Sequence, residues 1–206
     1  MTDYFALLQE PRRPWLDLEA LQRKFLALST PLHPDRVHGG SPGQKDSAQQ
    51  RFSELNSAYQ CLRDTKERLR HLLELEQGAK PRPLLEVTPE GADFYFQLGE
   101  VCREADRFLE RKKQAASPLH KAELFKTSME WVGRLEVYQG QLESRSERLQ
   151  AELKDLNTAW QTVPITGSNA GVPELPLPAL EKLYRELSYL SRWAAQIRER
   201  ILQLSF

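Results

Sequence analysis

Cysteine is scarce: Cys61 and Cys102 are the only two in 206 residues, far apart and without a histidine at metal-ligand spacing. That excludes a disulfide framework and a cysteine-based zinc site, and isolated thiols suit a reducing compartment. Net charge is missing too, because 29 Lys and Arg balance 29 Asp and Glu. A chain without an overall basic field has no global attraction to nucleic acid or to an anionic membrane, so charge-driven binding has to be local. No run of eighteen apolar residues occurs, and the opening MTDYFALLQEPRRP has Asp3 and only a short apolar run, unlike a signal peptide. The expectation is a soluble cytoplasmic protein that spans no membrane and needs no resident metal or cofactor. Period-two alternation is also rare, which leaves little room for strands and predicts an all-α chain.

Apolar residues recur instead at steps of three and four. A short first helix around Tyr4 to Leu8 stops at Pro11 and Pro14. Asp17 is the predicted N-cap of a second helix with Leu18, Leu21, Phe25, Leu28 and Leu32 on one stripe. After the loop HPDRVHGGSPGQ, a third helix carries Ala48, Phe52, Leu55, Ala58, Tyr59 and Leu62. The two stripes need each other, which predicts an antiparallel helical hairpin. Leu69, Leu72 and Leu73 mark a shorter fourth helix and close a domain over residues 1–76.

Residues 77–88, most of them in GAKPRPLLEVTPEG, read as a linker. Residues 89–206 then carry three long amphipathic stretches. The first has Leu98, Val101, Ala105, Phe108 and Leu109; the second has Phe125, Met129, Val132, Leu135, Leu142, Leu149, Leu153, Leu156 and Trp160. The third, after a Pro-, Gly- and Ser-containing stretch at 164–177, runs Leu180, Leu183, Leu187, Leu190, Ala194, Ile197, Ile201 and Leu204. An antiparallel three-helix bundle buries all three stripes. The regular row of the last helix also permits self-association as a coiled coil.

His33, Pro34 and Asp35 interrupt the hairpin between helices two and three. Proline fixes φ and stiffens the turn, Asp35 accepts hydrogen bonds, and His33 is a compact donor and acceptor. Such a pre-ordered tripeptide suits recognition, because little entropy remains to be lost on docking. No nucleophile or orienting third group accompanies it, so no catalytic residue is assigned and the chain is not read as an enzyme.

With DYFALL before it, Phe25 eight residues upstream, Arg36 following and ELNSAYQCLRD in the next helix, this segment resembles the J domain of DnaJ-type co-chaperones. LDLEALQRKFLALSTPLHPDR, LNSAYQCLRDTKERLRHLLEL, FYFQLGEVCREADRFLE and RELSYLSRW extend the resemblance along the chain to HscB, the J-protein type that serves iron–sulfur cluster assembly. The resemblance implies that His33, Pro34 and Asp35 stimulate ATP hydrolysis by a DnaK-type chaperone, with Arg23, Lys24 and Arg36 attracting its acidic surface. It implies further that the bundle presents an iron–sulfur scaffold protein of the IscU type through Tyr95, Phe96 and Tyr189.

This chain departs from the family at Thr30 and Pro31, where basic or polar residues are usual, which shifts expected chaperone docking toward Arg12, Arg13 and Arg36. It also has Gly99 where the family has leucine. Independently of the resemblance, Tyr95, Gly99, Cys102, Tyr189 and Trp193 lie off the leucine stripes, as a surface patch requires. His38, His71 and His120 are expected to be solvated and Cys61 to be a small core residue. Two further readings stand beside this one: a J-domain adaptor for another client, and a structural helical protein whose J domain has decayed.

Overall fold

The structure is a computed structural model that describes residues 2–32, 41–81, 89–115, 117–162 and 175–206. Among them there is no strand; the fold is all-α, as predicted. Helix α1 (Tyr4–Leu7) is capped by Asp3, whose Oδ1 accepts the amides of Phe5 and Ala6 at 2.9 and 3.1 Å. Helix α2 (Leu18–Ser29) starts at the expected cap: Asp17 Oδ1 accepts from the amides of Glu19 and Ala20 at 2.9 and 3.2 Å. It tightens into a 3-10 turn over Thr30–Leu32. Helix α3 (Pro42–Arg63) and helix α4 (Thr65–Gln77) meet at Asp64, which ends one and caps the other through the Glu67 amide at 2.9 Å. Gly78, at φ 69°, closes α4 in the left-handed conformation that glycine adopts without strain. Then come α5 (Pro89–Lys113), α6 (Pro118–Gln161) and α7 (Leu177–Ser205).

By packing the chain forms two compact units, one of Met1–Arg82 with Ala151–Tyr184, the other of Pro83–Gln150 with Arg185–Phe206. In the first, α1, α2 and α4 pack on α3, with Phe5, Leu8, Leu21, Leu55, Ala58, Leu62, Leu69, Leu72 and Leu73 buried. The α2–α3 hairpin is pinned by Phe25 stacked on Tyr59, 4.4 Å between centroids and 13° between planes. Leu18 is half exposed, because the buried row of α2 runs through Leu21 and Leu18 falls at its edge.

Arg68 is 2% exposed. Its Nε donates to the Pro14 carbonyl at 2.9 Å, one terminal nitrogen to the Leu62 carbonyl at 2.6 Å, and the other to Thr65 Oγ1 at 3.3 Å. One guanidinium thereby ties the segment before α2 to the corner between α3 and α4. Burial pulls its pKa down to about 10, with Asp64 opposing.

His71 corrects an expectation. It is buried, not solvated: its Nε2 accepts the Tyr4 amide at 3.1 Å, and its ring lies 4.6 Å from that of Tyr4 and 5.9 Å from that of Phe5. A histidine on the inner face of a helix is not distinguishable from an outer one by residue type, and only the return of α1 onto α4 supplies its partner. His120 is exposed, and His38 lies outside the described residues. The same unit contains Trp160, whose indole N–H donates to the Arg12 carbonyl at 3.0 Å, and Lys154, which stands 5.6 Å from the centre of the Trp15 ring.

In the second unit the partners run in opposite order along α5 and α6 and in the same order along α5 and α7. Phe94 meets Tyr138 while Phe108 meets Trp131; Tyr95 meets Tyr189 while Asp106 meets Arg200. The result is an up-down-up bundle. All five predicted core residues of α5 are buried, and so are Leu187, Leu190, Ile197 and Leu204 of α7. Asp106 receives Arg200 through two hydrogen bonds of 2.9 and 2.8 Å, and Lys112 Nζ caps the end of α7 at the Leu204 carbonyl, 2.7 Å away.

Phe125 and Met129 are a second correction: both are about half exposed. The buried row of α6 includes Ser128, Val132, Leu135, Leu142, Leu149 and Leu153, so Ser128 holds the position that an apolar count assigned to its neighbours. Cys102, off the leucine stripe of α5, is buried, and burial raises its thiol pKa. Cys61 is half buried; burial pushes its thiol up to about 11, and its S–H reaches the Glu67 carbonyl at 3.6 Å. Neither environment activates a thiolate. No group of three metal-ligating side chains occurs among the described residues, and no helix among them is long and apolar enough to cross a membrane.

Candidate functional site

His33, Pro34, Asp35 and Arg36 lie outside the described residues; the elements on either side of them do not. On the incoming side, Thr30 Oγ1 donates to the Leu26 carbonyl at 2.5 Å and spends its hydroxyl on its own helix. On the outgoing side, the Ser41 amide donates to Gln44 Oε1 at 2.9 Å, fixing the first turn of α3. Phe25 stacks on Tyr59, which lies in the last turns of α3, so the two flanking helices are joined within the hairpin while each loop-side end is fixed by its own hydrogen bond.

The basic residues near it are partly engaged. Lys24 Nζ pairs with Glu10 at 2.7 Å and donates to the Gln9 carbonyl at 2.9 Å, where Gln9 takes a positive φ of 54°. Lys24 thus secures the exit of α1. Arg23 is exposed and faces Glu19 at 3.8 Å, a loose helical pair that water screens. Arg12 pairs with Asp3 at 2.9 Å and Glu76 at 3.2 Å, so its charge is balanced within the domain.

The second set of predicted residues comes together on the bundle. Tyr95 on α5 and Tyr189 on α7 meet edge to face at 4.5 Å and 83°, and Trp193, one turn after Tyr189, stands 6.4 Å from Tyr95 and 6.3 Å from Tyr189. Parallel α5 and α7 put these rings side by side. Behind them, Arg145 of α6 stands 4.1 Å from the centre of the Phe94 ring and 5.9 Å from that of Tyr95, a cationic buttress. Burial pushes the Tyr95 phenol up, against the opposing charge of Arg145, so it stays protonated near neutrality.

These side chains surround a concavity of about 310 Å³ lined by Ala92, Tyr95, Phe96, Gly99, Arg103, Tyr189 and Trp193. Phe96 is 69% exposed at its edge. Its floor is open because Gly99 has no side chain. A Cβ at that position meets Trp193 at 3.7 Å and Arg103 at 3.9 Å, ordinary contact distances. Arg103, which pairs with Glu100, is the lining residue that sequence reading passed over; its signal was its place one helical turn after Gly99. The arrangement has no general base, nucleophile or metal-ligand set. What it offers is aromatic surface, a hole and one guanidinium.

Residues 3–71 match the DnaJ domain family. Two curated relatives, the co-chaperone protein HscB homologs of Bordetella petrii and Paraburkholderia phymatum, are each 39% identical over 72 residues. That stretch is 35% of this chain and 42% and 41% of theirs, well under half of each relative. Among solved structures, chaperone HscB from Vibrio cholerae aligns over 96% of both chains with a TM-score of 0.56 and 20% identity. Human co-chaperone protein HscB aligns over 97% of this chain and 82% of its own, with a TM-score of 0.56 and 17% identity. At such identities the likeness speaks for the fold, an N-terminal J domain followed by a helical bundle.

Proposed function

We propose that this chain is an HscB-like J-domain protein, a cytoplasmic co-chaperone that joins a DnaK-type chaperone to an iron–sulfur scaffold protein; the DnaJ match over residues 3–71 and the likeness to HscB proteins support the reading. Residues 1–76 act as the J domain: His33, Pro34 and Asp35 engage the chaperone and stimulate its ATP hydrolysis, while Arg23, Lys24 and Arg36 favour the encounter. Residues 89–206 present the scaffold, of the IscU type, through Tyr95, Phe96 and Tyr189. The chain itself performs no bond-making step.

The observation that carries the first half is the DnaJ match over residues 3–71, which encloses the tripeptide between two helices bound through Phe25 and Tyr59. A tripeptide pre-ordered by its proline loses little entropy on docking, the physical requirement for a three-residue contact to bias a large partner. Support for the second half is the convergence of Tyr95, Phe96 and Tyr189 on one concavity, where aromatic rings supply contact area with few rotors to freeze. Because Lys24 and Arg12 are already paired, electrostatic attraction rests more heavily on Arg23 and Arg36, and docking responds only modestly to salt.

The test is steady-state ATP hydrolysis by a DnaK-type chaperone with and without this protein. His33→Gln is expected to abolish stimulation while leaving the helical circular-dichroism signal and melting temperature unchanged. Full stimulation by the variant contradicts the reading.

A further inference from the structure

Gly99 lies in the interior of α5, between Leu98 and Glu100, where glycine weakens a helix relative to any residue with a Cβ. Close approach usually accounts for a glycine so placed, and here none exists, since a Cβ would stand at ordinary contact distance from Trp193 and Arg103. Among the described residues nothing fills the space either: the concavity above Gly99 remains, at about 310 Å³. Its walls are already fixed. Tyr95, Tyr189 and Trp193 hold one another through mutual ring contacts, and Arg145 backs Tyr95 from α6. A hole with rigid aromatic walls does not close by collapse, so its unfilled apolar surface is satisfied only by something from outside.

We propose that Gly99 forms the floor of a socket, and that the docking partner supplies the missing side chain: one leucine, methionine or phenylalanine inserted between Phe96 and Trp193, beside a carboxylate that takes the guanidinium of Arg103. The proposal deepens the scaffold-docking reading and rests on it. A protein side chain fits better than a free small molecule, because the volume is at the bottom of the range for small-molecule pockets and the lining offers one charged group and no set of convergent polar anchors. Charge gives the partner its second feature. Arg103 stands at the rim with its pair Glu100, both about half exposed, and a carboxylate arriving beside the inserted side chain competes for the guanidinium in a drier setting.

A socket and a flat apolar patch differ in the sign of one substitution. Gly99→Leu adds apolar surface, so on a flat patch it strengthens docking; in a socket it occupies the hole and blocks the partner. Calorimetric titration of the full chain with the iron–sulfur scaffold protein reads that sign. The socket requires Gly99→Leu to weaken binding on the order of tenfold or more, with Gly99→Ala in between, and to raise the melting temperature because a helix-interior glycine is gone. Arg103→Glu weakens binding severalfold, and the loss shrinks at high salt. Gly99→Leu binding equal to or tighter than wild type overturns the socket while leaving scaffold docking in place. No binding by wild type overturns scaffold docking itself, and the socket with it.

Discussion

The two candidate surfaces are built in opposite ways. At the J-domain end, hydrogen bonds of Thr30 and Ser41 fix the helix ends beside the tripeptide and buried polar groups hold the domain, Arg68 reaching the Pro14 and Leu62 carbonyls and His71 receiving α1, while the proposed recognition residues are consecutive in sequence. On the bundle, the holding groups are leucines in regular rows, and the proposed recognition residues come from two helices that are remote in sequence. A contiguous loop needs its two ends fixed, which directional hydrogen bonds do well. A composite patch needs two helices in register, which interdigitated rows do. The first surface is therefore sensitive to lost hydrogen bonds and pH, the second to the loss of rings and volume.

Breaking the polar frame gives the largest expected effect. Arg68→Ala strands two buried carbonyls and is expected to lower stability by about 3–5 kcal/mol, seen as a displaced denaturant midpoint. Next comes the composite patch: Tyr95→Ala with Tyr189→Ala is expected to weaken scaffold binding by roughly thirtyfold or more while chaperone stimulation by the protein alone is retained, a split that titration and ATPase assays read together.

A smaller effect separates the two regions by pH. Burial, opposed by Asp3 and Glu74, holds the His71 pKa below its ordinary 6.5. The folded state thus favours the neutral ring. Its contribution is complete above about pH 6.5 and is lost as pH falls from there toward the lowered folded value, since the unfolded chain takes up the proton first. Melting temperature is expected to fall with pH below that point, and His71→Gln, which keeps an acceptor for the Tyr4 amide, is expected to flatten the slope. The smallest effect sharpens the boundary of the bundle core: Phe125→Ser and Met129→Ser, at exposed positions, are expected to change stability by less than about 0.5 kcal/mol, against about 3 kcal/mol for Leu135→Ala in the buried row.

How far the sequence disclosed each surface follows from the same difference. The tripeptide at 33–35 is local, so a linear reading finds it, and Asp17 as a cap was equally local. Tyr95, Phe96 and Tyr189 were named through resemblance and through their position off the leucine rows, but the concavity they share depends on α5 and α7 running parallel, which no periodicity encodes. Arg103 and the open floor at Gly99 needed coordinates for the same reason. Ser128 shows the reverse limit: a core row that includes a serine looks interrupted, and the count drifted to Phe125 and Met129. His71 and Arg68 were missed because a buried polar residue is recognised by its partners, here Tyr4, Pro14 and Leu62, up to 67 residues away.

The central claim is that one chain couples two partners, and one measurement addresses both: ATP hydrolysis by the DnaK-type chaperone with this protein and the scaffold present together. Wild type is expected to stimulate, with a further rise when scaffold is added. The Tyr95, Phe96 and Tyr189 to Ala variant is expected to keep the first effect and lose the second. His33→Gln is expected to lose both. Scaffold-dependent stimulation that survives the aromatic substitutions, or any stimulation that survives His33→Gln at the wild-type level, contradicts the account.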